Sequence, residues 1–77
     1  MKTYWPCGRA MGQDGRIQPL TTYSAFISLG EARKQIDLWH DWYKYDMIEA
    51  WVDVYEKGKL IQKIPIIEPK QEMTYRA

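Results

Sequence analysis

The sequence holds a single cysteine, Cys7, and a single histidine, His40. One cysteine cannot close a disulfide within the chain, which argues against a small secreted scaffold. A structural zinc site takes about four Cys or His ligands, more than the chain supplies. No run of ~18 apolar residues is present, so no helical membrane span is read. Lys2 leads into mixed polar and aromatic residues rather than an apolar run, and no secretory signal is expected. A reducing cytoplasm is the compartment these absences point to. Charge of one sign is also lacking. Eleven Lys and Arg stand against ten Asp and Glu, for a net +1. That balance argues against a general electrostatic grip on nucleic acid, and equally against an acidic DNA mimic.

Aromatic residues are what the chain has in surplus. Four Trp and six Tyr stand among 77 residues. Hydrophobic residues make up 45% and charged residues 27%, as in a globular domain rather than a disordered segment. The length allows one domain over 1–77 with a thin core, burying only ~60–65% of the unfolded chain's surface. The stretch 68–77 is polar, carries Pro69, and reads as a loose tail.

Two segments declare their structure. Ser28-Leu29-Gly30-Glu31 matches a capping box, in which Ser28 and Glu31 satisfy each other's amides. Ile27 before it is placed to pack on Ala32 as a hydrophobic staple. Leu29, Ala32, Ile36, Trp39 and Tyr43 then recur at spacings of three and four, one stripe of a helix over 29–43. No glycine marks its end, which falls around Lys44 to Asp46. Farther on, Ile48, Ala50, Val52 and Val54 alternate with Glu49, Trp51, Asp53 and Tyr55, the period of a strand. Glu56-Lys57-Gly58-Lys59 makes a turn, and a second strand runs from Leu60 to about Ile67. Pro65 assigns that strand to an edge or faces out of the ladder.

The N-terminal third reads as another hairpin. Lys2 to Met11 forms one strand despite Pro6. Gly12-Gln13-Asp14-Gly15 forms the turn, and Arg16 to Ala25 returns, bent at Pro19. The expected fold is α+β: a small antiparallel β-β-α-β-β sheet with one helix packed on one face.

That layout sorts the apolar residues. Ile48, Ala50, Val52 and Val54, with Leu60, Ile64 and Ile66, are assigned to the helix-covered face. Trp51, Tyr55, Ile61 and Ile67 fall on the outer face among Glu49, Asp53 and Lys63, and Trp5 is a candidate to join them. On the helix, Leu38 and Trp42 lie four residues apart, away from the core stripe. Large uncovered apolar surface usually marks interaction, and Trp and Tyr are favoured in binding hot spots. The expected partner-binding residues are therefore Trp51, Tyr55 and Ile61 on the sheet, or Leu38 and Trp42 on the helix. The expected partner is another protein or a second copy of the chain, a homodimer being the simplest form.

Catalytic and metal chemistry finds little support. His40 follows Asp37 by one helical turn, an arrangement that could orient an imidazole. No Ser, Cys or Thr stands at helical spacing to be activated, and a surface histidine is the expectation. A Cys7–His40 pair would need a third orienting group. Asp37, Asp41, Asp46, Glu49 and Asp53 make a loose acidic run without the spacing of a calcium loop, so no metal and no cofactor is expected. Gly8, Gly12 and Gly15, with Arg9 and Arg16 nearby, match no phosphate-loop or dinucleotide motif. They read as turn residues. Tyr4, Trp5, Trp51 and Tyr55 with Lys2, Arg9 and Lys63 form the alternative: a stacking platform for single-stranded nucleic acid.

The segment from Ser28 to Glu56, with its Ile48-Glu49-Ala50-Trp51-Val52-Asp53-Val54-Tyr55 strand, resembles small orphan proteins of bacterial phages and mobile elements. The short chain, strand-rich layout, single capped helix and aromatic surface belong to the same resemblance. It implies a stoichiometric, non-enzymatic inhibitor of a host defence protein, as the anti-CRISPR proteins are. No residue roles carry over, because that group shares no motif. The +1 charge departs from its acidic, DNA-mimicking members and implies that a protein surface or a conformational change is blocked instead.

Overall fold

The computed structural model describes residues 1–69. Four strands and one helical segment follow each other in the order β1 (Lys2–Met11), β2 (Ile17–Leu20), α1 (Leu29–Asp37) with a π-helical extension (Leu38–Trp42), β3 (Asp46–Glu56) and β4 (Lys59–Ile67). The strands form one antiparallel sheet in the order β2-β1-β3-β4. The helix lies across β1 and β3, and the domain is the expected two-layer α+β. Of the expected tail, Glu68 and Pro69 follow β4, and the rest lies outside the described residues. No helix among the described residues is long and apolar enough to cross a membrane.

Each hairpin follows from its turn chemistry. Gly15 takes φ 82 and Gly58 φ 78, values that suit glycine, with Lys57 beside Gly58 at φ 53. In the first hairpin the Arg16 amide also donates to Asp14 Oδ1 at 3.0 Å. The returning strand is shorter than the run Arg16 to Ala25 suggests, because β2 ends at Leu20. The chain rejoins the sheet only at Phe26, which exchanges two 2.8 Å backbone bonds with Tyr4.

That gap explains Pro6. Tyr4 turns its amide and carbonyl toward Phe26, and β2 begins pairing at Gly8. Residue 6 points its backbone to the same side as residue 4, into the space between. A missing donor costs nothing there, and Pro6 is fully buried beneath the helix layer. Pro65 lies on β4, the open edge.

The core is Ala32, Ile36 and Trp39 from the helix against Ala50, Val52 and Val54 from β3. Tyr4, Leu20, Phe26, Leu29, Met47, Ile64, Ile66 and Ile67 pack around it. Three bulges change the alternation expected from the sequence. One at Arg9/Ala10 passes over Ile48, so Met47 rather than Ile48 joins the core. A second between Val54 and Tyr55 places Leu60 opposite Tyr55 on the outer face, where it is half exposed. A third between Ala50 and Trp51 brings Ile67 opposite Ala50 and onto the core. Leu60 and Ile67 thus exchange the faces that strict alternation assigns them, since each extra residue reverses the parity beyond it.

The helix departs from expectation at both ends. Ser28 Oγ accepts from the Glu31 amide at 3.2 Å, which is one half of the expected capping box, while the Glu31 side chain does not bond back to the Ser28 amide. The staple does not form: Ile27 is exposed, and Phe26 takes the inward position. At the other end the Tyr43 amide donates to the Leu38 carbonyl, five residues back, at 3.0 Å. The wider π turn delays the residues beyond Trp39. Trp39 stays buried, but Tyr43 rotates off the core stripe, is 53% exposed, and stacks on Tyr45 with centroids 5.6 Å apart. Lys44 at φ 60 closes the segment in the left-handed conformation usually given to glycine.

Candidate functional interface on the outer sheet face

Cross-strand neighbours point to the same face of a sheet. Opposite the helix, the pairing sets Thr3, Tyr55 and Leu60 in one row, then Trp5, Asp53 and Lys63, then Cys7, Trp51 and Pro65, then Arg9 and Glu49. Aromatic rings therefore surround a single carboxylate. Trp5 lies directly across from Asp53 on β1, while Trp51 and Tyr55 flank it along β3. No second layer of secondary structure covers this face among the described residues.

Charges on the face are unevenly paired. Arg9 Nε binds Glu49 Oε2 at 2.5 Å, closing the outer end with an exposed ion pair. Lys63 lies opposite Asp53 in the register, yet its Nζ sits over the Trp51 ring, 4.4 Å from the centroid. It forms no ion pair with Asp53. Asp53 Oδ2 instead lies 3.6 Å from Cys7 Sγ. Asp53 Oδ1 and Trp51 Nε1 are buried without a hydrogen-bond partner. Such groups are uncommon in native folds and call for an explanation.

Cys7 is half-buried, and burial pushes its thiol up to about 11, with the negative charge of Asp53 acting in the same direction. At neutral pH the thiol is held protonated, which lowers its nucleophilicity. Cys7 belongs to the outer face and His40 to the helical layer on the other side, so the sheet separates them. His40 Nδ1 lies 2.7 Å from Asp41 Oδ1 rather than bonding to Asp37. Among the described residues no three His, Cys, Asp or Glu side chains converge on a point that could hold a metal ion.

The residues singled out from the sequence fall into two groups. Trp51 and Tyr55 are half-buried on the outer sheet face, and Ile61 is the exposed, unpaired residue of the β4 bulge, with Leu60 in its place opposite Tyr55. Leu38 and Trp42 sit on the helical layer, 40% and 74% exposed, beside a shallow groove lined also by Lys34, Asp37 and Asp41. The two groups are not one site. Tyr4 leaves the platform proposed for nucleic acid, because it pairs with Val54 and packs on the core. Trp5 and Cys7 join the outer face through the β1–β3 register. Their sequence alone offers alternation but not which parity faces the helix.

The face is not flat. Thr3, Trp5, Cys7, Thr21, Asp53, Tyr55 and Gly58 line a depression of about 460 Å³. The lining thus combines a carboxylate and a thiol with two aromatic rings. A larger, more polar cleft of about 730 Å³ opens on the other side of β1, between the first hairpin and Tyr43–Asp46. Every hydrogen bond of Asp14 and Gly12 there serves the turn itself.

No protein-family model matches the chain, and no curated protein or solved structure is significantly similar to it.

Proposed function

We propose that the chain is a non-enzymatic protein-interaction module that works by occupying a surface of a protein partner. One observation carries this reading: Trp5, Trp51 and Tyr55 share a sheet face over which the described residues place no second layer. Rings of this size bring much area with few rotatable bonds, so they bind at low entropic cost. A stoichiometric inhibitor of a host defence protein, working in the cytoplasm, is the form suggested by the resemblance of Ser28–Glu56 to phage-encoded small proteins.

The nucleic-acid alternative is weakened by the same geometry. Asp53 stands at the centre of the aromatic face and repels phosphate. Lys63 occupies the Trp51 ring on which a base would stack, and Glu49 neutralises Arg9. The helix ridge of Leu38 and Trp42 is favoured as a second contact by the exposure of Trp42, 74%.

Affinity capture from host cells with wild-type protein and the Trp51→Ala, Tyr55→Ala and Trp42→Ala variants tests the reading. The expected result is one stoichiometric protein partner, lost with Trp51→Ala or Tyr55→Ala. Loss only with Trp42→Ala transfers the site to the helix. Capture indifferent to all three, with folding intact by circular dichroism, sinks the proposal. Salt-sensitive binding of single strands that is lost with Lys63→Ala would instead establish the nucleic-acid alternative.

A further inference from the structure

The geometry points to a pocket for an arginine side chain of a partner protein, built on Asp53 and walled by Trp5 and Tyr55. This rests on the outer face being the interaction surface, and it names the chemistry that face selects.

Three observations converge. The first is an unpaired carboxylate. Asp53 is the acidic group at the centre of the aromatic face, and no cation pairs with it among the described residues. Lys63, the nearest candidate by register, is engaged with Trp51. The second is the unmet hydrogen-bonding capacity of that carboxylate. Oδ2 has the Cys7 thiol 3.6 Å away, while Oδ1 is buried and receives nothing. Rotation of the carboxylate is a soft terminal torsion, so either oxygen can be turned to the depression. The third is shape. Asp53 and Cys7 line a depression of about 460 Å³ whose other walls include Trp5, Tyr55 and Thr3.

A carboxylate between aromatic walls selects a cation. A phosphate or carboxylate ligand would meet Asp53 as a like charge. A neutral apolar side chain would cover the carboxylate and leave Oδ1 unpaired, which is costly. Between the two protein cations, guanidinium fits better than ammonium. It is planar, stacks on aromatic faces, gives up its hydration more readily and presents a fork of donors to a carboxylate. Lys63 over Trp51 shows within the chain itself that these rings accept a cation.

The four tryptophans make the test direct. Trp5 and Trp51 lie on the outer face, Trp39 is in the core, and Trp42 is on the helix. Their indole N–H resonances are followed by NMR as the full chain is titrated with N-acetyl-arginine amide. N-acetyl-citrulline amide serves as the neutral isostere and N-acetyl-lysine amide as the equal-charge control. The expected result is a saturable shift of Trp5 and Trp51, with Trp39 and Trp42 unmoved. Affinity should fall about tenfold or more with citrulline or with Asp53→Asn, as for loss of a charged hydrogen bond. Trp5→Leu should weaken binding as well, and an unshifted Trp39 resonance reports that each variant is folded. Equal shifts with citrulline, equal affinity for lysine, shifts at all four indoles, or an unchanged response in Asp53→Asn would each overturn the assignment. If Trp51→Ala abolishes partner capture while Asp53→Asn does not, the face remains an interaction surface and the arginine pocket alone is refuted.

Discussion

Cys7 and Asp53 meet diagonally across β1 and β3, with the thiol sulfur 3.6 Å from Oδ2. The carboxylate acts on the state of the thiol. Burial first, and the charge of the carboxylate second, hold the thiol protonated, and the thiol is a donor in reach of one carboxylate oxygen. The pairing brings Cys7 to the aromatic face beside Asp53, a place that the cysteine does not announce in the sequence.

The thiol should therefore be slow to react. With Cys7 raised from 9.0 to about 11, its thiolate fraction at pH 8 is about a hundredfold below that of an unperturbed cysteine. Alkylation by iodoacetamide, followed by mass spectrometry, should be correspondingly slow in the folded protein and normal in denaturant. Asp53→Asn removes a negative charge that raises the thiol, so it should speed alkylation. The same shift gives a pH signature. The folded state holds this proton more tightly than the unfolded state, so its contribution is complete below pH 9.0 and is lost as pH rises toward about 11. Unfolding midpoints measured across that window should fall more steeply for wild type than for Cys7→Ala.

Two glycines should respond oppositely to substitution. A Cβ on Gly8 would meet the Glu49 carbonyl oxygen and Met47 Cε, both at 3.0 Å. The oxygen belongs to the bulged backbone of β3 and has little room to move. Gly8→Val should cost about 1–3 kcal/mol, in the range of overpacked sites. Gly30, in the first turn of α1, has nothing within 4 Å of an added Cβ. Gly30→Ala should stabilise by roughly 0.5–1 kcal/mol through helix propensity. Urea denaturation of the two variants checks both signs.

Trp39 and Trp42 lie three residues apart and should differ most of all. Trp39 is 5% exposed and sits in the core with Ile36 and Val52, whereas Trp42 is 74% exposed. Trp39→Ala should cost about 3–5 kcal/mol, enough to unfold a domain with so small a core. Trp42→Ala should stay within about 0.5 kcal/mol of wild type. Thermal melts by circular dichroism read both, and only a defect in partner capture would give Trp42 a role.

Local chemistry accounts for what was legible in the sequence. The Ser28 cap, the Leu29–Trp39 stripe, the two glycine-containing turns and the alternation of β3 each depend on residues within a few positions of one another. They settled the element order, the α+β class and the placement of a helix over one face. They also placed Trp51, Tyr55 and Asp53 together, because residues two apart on a strand share a face.

The tertiary structure decided what depends on pairing. Three bulges reversed the parity of Leu60 and Ile67 and removed Ile48 from the core. A π turn released Tyr43 to the surface, though its spacing fits the helical stripe. The β1–β3 register delivered Trp5 and Cys7 to Asp53, Cys7 across 46 residues of sequence. Bulges and registers arise from the fit of whole strands against a packed helix, and no local pattern encodes them. The single cysteine, whose solitude argues against disulfides and zinc, is in this way part of the lining of the proposed binding surface.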